Sequence, residues 1–78
     1  MMHYFADFLK QKREEISLTK VQMAKKFSWT PMYYGRFENG KLLPTKQNLY
    51  KFVEVLQVDE RMLLELIKKD KEFAKFPK

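Results

Sequence analysis

Leu49, Phe52, Val53 and Leu56 recur at i, i+3, i+4 and i+7, the spacing that lays apolar side chains along one face of an α-helix. A stripe of that kind has to be covered. No stretch of the chain alternates apolar and polar residues as a half-buried strand does, so other helices must supply the cover. With 78 residues there is room for one domain, and a chain so short removes only about 60% or slightly more of its unfolded surface from water. The expectation is a small, tightly packed, all-α fold.

The remaining helices are marked by their ends. Phe5, Phe8, Leu9 and Ile16 stand at helical spacing among Lys10, Lys12, Arg13, Glu14 and Glu15, which predicts a first helix over roughly residues 3 to 16. Thr19 offers a hydroxyl N-cap with Gln22 as its capping-box partner, and Val21, Met23, Ala24 and Phe27 follow in a short second helix, roughly residues 20 to 27. Thr30 is a further N-cap, Pro31 suits the first helical position, where its missing N–H costs nothing, and Gly40 suits the left-handed residue that ends a helix. Together they bracket a third helix of about nine residues, Pro31 to Asn39.

A basic turn, Lys41 to Pro44, leads to Thr45 as cap of the fourth helix. Asp59 caps a fifth, with Leu63, Leu66 and Ile67 on one side and Met62 and Leu64 as further apolar material. From Lys68 the chain turns charged and ends in Pro77, so a domain over residues 1–69 is expected to carry a fraying tail over residues 70–78. Phe73 and Phe76 are the exceptions in that tail, free to dock on the domain or on a second subunit.

Composition narrows the chemistry. The absence of cysteine removes disulfides and thiolate metal sites and fits a reducing cytoplasm. The one histidine, His3, lies near the terminus and reads as a surface residue rather than a ligand or base. No glycine-rich phosphate loop, metal-ligand cluster or nucleophilic triad can be assembled, so neither an enzyme, a metal site nor a cofactor is expected. No apolar run approaches the roughly 20 residues that span a bilayer, and the opening MMHYFADFLKQKREE lacks the features of a secretory signal. A formal charge of +6 favours an anionic partner, but it decides nothing until the charge is known to share a face.

The segment LTKVQMAKKFSWTPMYYGRFENGK resembles the helix-turn-helix of the phage repressor and Cro type, the XRE family. The resemblance is carried by Ala24, the apolar slots at Phe27, Tyr34 and Phe37, and the closing Glu38-Asn39-Gly40-Lys41. Leu9, Arg13, Leu18, Pro44, Leu49, Phe52, Leu56 and Val58 also fall at family spacing, so it covers roughly residues 5 to 67. It implies a five-helix, lambda-repressor-like domain with the motif in helices two and three, and an ion pair between Arg13 and Glu38. Three positions depart from the family pattern. Ser28 stands in the turn where glycine is usual, Gln57 replaces the glycine after helix four, and Lys20 takes the place of a glutamine. A left-handed backbone is costly for serine, so a distorted turn is expected at Ser28.

Winding residues 31 to 39 at about 100° per residue turns Tyr34, Phe37 and Glu38 inward and Met32, Gly35, Arg36 and Asn39 outward, with Tyr33 at the boundary. A helix-turn-helix places its second helix in the major groove. On that resemblance the base contacts are Met32, Tyr33, Gly35 and Arg36, with Arg36 able to bond guanine O6 and N7 and Met32 able to touch a thymine methyl. Tyr33 either packs on helix two or contacts DNA, and Gly35 is either a tolerated defect or a point of close approach. The phosphate contacts implied are Thr19, Lys20, Asn39, Lys41 and Lys46, while Lys25, Lys26, Lys51 and the tail lysines read as solvated.

The function that follows is a sequence-specific regulator of transcription, a cytoplasmic repressor of bacterial, phage or mobile-element origin. It would bind an inverted repeat in double-stranded DNA as a homodimer. Helix five and the tail would supply the dimer contact, unless Leu63, Leu66 and Ile67 simply complete the core. The alternative is a protein-interaction module, an antitoxin or adaptor holding an unidentified protein on Trp29, Met32 and Tyr33, since tryptophan, tyrosine and arginine are common interface anchors.

Overall fold

Side-chain caps start three of the helices. Gln22 N–H donates to Thr19 Oγ1 at 3.1 Å while Thr19 N–H donates to Gln22 Oε1 at 2.9 Å, a reciprocal box that opens α2 (Lys20–Phe27). Tyr33 N–H donates to Thr30 Oγ1 at 3.1 Å, and Pro31 takes the first position of α3 (Pro31–Glu38). Arg61 N–H donates to Asp59 Oδ1 at 3.2 Å at the head of α5 (Glu60–Lys75). At α4 (Lys46–Leu56) the cap runs backward, Thr45 N–H donating to Asn48 Oδ1 at 2.8 Å.

The first helix, α1 (Tyr4–Glu15), is capped from far away. His3, its N-cap residue, makes no side-chain cap bond. Instead the Asp70 carboxylate on α5 accepts from Tyr4 N–H at 2.7 Å and Phe5 N–H at 2.9 Å. Two of the unpaired amides at the start of α1 are satisfied by a charge placed where the helix dipole favours one. α5 runs to Lys75, past the position between residues 69 and 70 where the tail is expected to begin.

The computed structural model describes the backbone of residues 3–75 and the side chains of residues 3–71. Phe76 and the side chain of Phe73 lie outside the described residues. Among those described there are five helices and no strand. α3 packs on α1 and α2, α1 also meets α5, and α4 bridges α2 and α5. Phe5, Leu9, Met23, Ala24, Phe27, Tyr34, Phe37, Leu49, Phe52, Leu63 and Ile67 form the buried core. Phe52 is its hub, with ring centroids of Phe5, Phe27, Phe37 and Trp29 at 5.1, 4.9, 5.2 and 5.5 Å. Leu63 and Ile67 therefore complete the monomer's own core.

The turn between α2 and α3 keeps its left-handed residue without glycine. Ser28 has φ 63° and ψ 37°, and Trp29 N–H then returns to Ala24 O at 3.0 Å. The distortion expected at Ser28 does not occur; the serine takes the strained conformation instead. Gln57 does the same after α4, at φ 54° and ψ 53°. Gly40 is required twice over: its φ is +78°, and a Cβ there would lie 2.6 Å from Nδ1 of His3. His3 is thus half-buried against the turn after α3 rather than loose at a terminus.

Candidate nucleic-acid interface

The residues of α3 divide by the helical period. Tyr34 and Phe37 are buried, and the row opposite them is open: Met32 is 73% exposed, Arg36 and Asn39 are exposed, and nothing lies within 4 Å of a Cβ built on Gly35. Tyr33 is half-buried, with its ring edge-on to Trp29 at 4.9 Å and to Phe37 at 5.3 Å. Trp29 in turn stacks on Phe27 at 4.8 Å and Phe37 at 5.3 Å. Two of the three side chains named for an adaptor surface are therefore engaged in packing, and only Met32 of the three is fully exposed.

The flanking candidates are all exposed. Thr19 and Lys20 stand at the head of α2, Asn39 closes α3, Lys41 follows it, and Lys46 opens α4. Thr19 uses a lone pair for its cap, so its O–H remains a donor. Lys46 also borders an open groove of about 370 Å³ between α4 and α5, with Leu49, Tyr50, Val53, Glu60 and Leu64.

Charge is segregated along the chain in a way the net value hides. Between residues 16 and 53 the only acidic side chain is Glu38, against Lys20, Lys25, Lys26, Arg36, Lys41, Lys46 and Lys51. Glu38 is itself consumed: its side chain is 1% exposed and accepts from Arg13 Nε at 2.7 Å and Nη2 at 3.2 Å. The exposed surface of α2, α3 and the turn into α4 thus carries cations and no carboxylate.

Arg13 does more than neutralise. Its Nη1 donates to Leu18 O at 2.9 Å, which fixes the α1–α2 connection, while Tyr34 O–H donates to Glu38 Oε2 at 2.5 Å. The Glu38 hydrogen bond raises the Arg13 guanidinium above its ordinary value despite burial. Burial, then the bond to Glu38, pushes the Tyr34 phenol far above its usual range, so it stays a neutral donor. The structure thereby ties α3 to α1 from its inner side and leaves its outer side untouched.

Two supporting residues escaped the sequence reading. Lys51, expected as solvated, donates from Nζ to Phe27 O at 3.0 Å and sits 5.3 Å from the Trp29 ring, closing the C-terminal end of α2. Asp70 was assigned to the tail. Neither carries a local signal, because each partner is far off in sequence.

No helix among the described residues is long and apolar enough to cross a membrane. A family model described as helix-turn-helix matches residues 9–63. Neither the curated proteins nor the solved structures contain a match to the chain.

Proposed function

Because this chain belongs to the helix-turn-helix family, one of DNA-binding regulators of transcription, we propose that it is a repressor that lays α3 in the major groove of a specific DNA site. The observation that carries this reading is the open row of Met32, Gly35, Arg36 and Asn39 on α3, set in a surface that bears cations and no carboxylate. In this reading Met32, Gly35 and Arg36 meet base edges, and Tyr33 holds the helix by its ring while its hydroxyl stays within reach of DNA. Thr19, Lys20, Asn39, Lys41 and Lys46 bind phosphates and set the register. The protein acts in the cytoplasm of a bacterial cell, encoded by the host, a phage or a mobile element.

One eight-residue helix reads only a few base pairs, so two copies are needed, about 34 to 36 Å apart on an inverted repeat. With Leu63 and Ile67 inside the monomer, the exposed large apolar side chains of α4 and α5 among the described residues are Tyr50, 59% exposed, Met62, 38%, and Leu64, 47%, and Tyr50 and Leu64 border one groove. These form the homodimer contact.

Selection of bound duplexes from a random pool, followed by salt titration on the selected site, tests the reading. A repressor of this kind selects an inverted repeat and loses affinity steeply as salt rises. Binding without any preferred site would turn the case toward an adaptor that holds another protein.

A further inference from the structure

Gly35 lies mid-way along α3 on its outer face, in ordinary helical backbone, and a methyl group added to its Cα would meet nothing within 4 Å. Alanine would fit there and would strengthen the helix. Among the described residues nothing uses the missing side chain, unlike at Gly40, where both φ and the His3 ring forbid one. The bare backbone at Gly35 is therefore available to a surface that comes from outside.

Its neighbours say what kind of surface. One turn earlier, four and three residues back, stand Pro31, which has no N–H, and Met32, which carries a thioether and is 73% exposed. The helix face shared by Gly35, Met32 and Pro31 is thus apolar and polarizable, and offers a phosphate or a base carbonyl no hydrogen bond. The nearest cation on the helix, Arg36, lies about 100° round from Gly35. The one apolar group on a base edge in the major groove is the thymine 5-methyl. Resting on the reading of α3 as a major-groove helix, we propose that Gly35 and Met32 form a seat for a thymine methyl group, which fixes one T·A pair in each half of the DNA site.

Deoxyuridine differs from thymidine by that methyl alone, which gives a direct test. In the selected duplex each thymine is replaced singly by deoxyuridine, and binding of the wild type and of Gly35→Ala is measured on both forms. For the wild type, one position per half-site should lose about fourfold in affinity, the loss expected for one buried methyl. For Gly35→Ala the order should reverse at that position: its own methyl occupies the seat, so the thymine duplex binds worse than the deoxyuridine duplex. The variant should melt about 4 to 8 °C higher, which excludes loss of fold as the cause. If every deoxyuridine substitution is silent, or if the two substitutions act independently, the seat does not exist although α3 still reads DNA. If no duplex is selected at all, the DNA reading falls and the seat with it.

Discussion

Arg13 on α1 and Glu38 at the end of α3 are joined by two parallel hydrogen bonds, 2.7 and 3.2 Å long, with the two side chains 11% and 1% exposed. A charge held that far from water is costly once its partner is gone. Arg13→Ala should therefore lose about 3 to 5 kcal/mol in urea unfolding. Replacing both, Arg13→Met with Glu38→Leu, should recover most of that loss, because no charge is then stranded. A double variant as unstable as Arg13→Ala would show that the cost lies in the lost Leu18 contact instead.

Tyr34 donates to the same carboxylate, and its raised pKa has a direction in pH. An unfolded tyrosine ionises near pH 10, whereas folded Tyr34 keeps its proton to higher pH. Its contribution is then fully present below about pH 10 and is lost as pH climbs beyond it, since the unfolded state binds fewer protons there. Tyr34→Phe should cost about 1 kcal/mol at neutral pH, the worth of one hydrogen bond, and the gap to the wild type should narrow above about pH 10. Unfolding free energies that keep a constant gap into alkali would contradict it.

Ser28 and Gln57 hold left-handed backbone at φ 63° and 54°, where an L-residue pays about 1 to 2 kcal/mol and glycine does not. Glycine gives back part of that advantage through its freer unfolded chain, so Ser28→Gly and Gln57→Gly should each stabilise by about 1 kcal/mol. Urea midpoints at unchanged slope provide the measurement, and a fall in either midpoint would count against the strain.

How far the sequence spoke depended on the reach of each interaction. Thr19 with Gln22, Thr30 with Pro31, and Asp59 with Arg61 act within three residues, so the starts of α2, α3 and α5 were readable from caps. The outer row of α3 followed from helical winding alone. Lys51 reads as solvated and Asp70 as part of a tail because a charge looks the same on a surface as it does when aimed at a helix end 24 or 65 residues away. The same holds for His3 over Gly40 and for Trp29, whose place among Phe27, Phe37 and Phe52 depends on three helices meeting.

Asp70 gives that lesson a test. Asp70→Ala removes both acceptors from the first turn of α1 and should cost about 1 to 2 kcal/mol, the range of a lost N-cap, with faster hydrogen exchange at Tyr4 and Phe5. A chain cut after Lys69 should lose at least as much. A cut chain as stable as the intact one would leave residues 70–78 as the dispensable tail that the sequence leads one to expect.

Arg36 and Lys20 are both exposed cations, yet they are placed to do different work. Arg36 projects from the open row of α3, where a guanidinium can span guanine O6 and N7; Lys20 sits at the first position of α2, a point charge beside a capped helix end. Arg36→Ala should therefore cost about 1 to 3 kcal/mol of discrimination at one base step, and duplexes altered at that step should bind the variant and the wild type alike. Lys20→Ala should weaken every sequence by the same factor and lower the slope of log affinity against log salt by about 1, the loss of one neutralised phosphate. Measuring both variants on the selected site and on single-base changes of it separates the roles, since a base contact changes the ranking of sequences and a phosphate contact only shifts them together. Should both variants lose affinity equally on every duplex, Arg36 would be a second phosphate ligand, and the choice of sequence would pass to Met32 and Gly35.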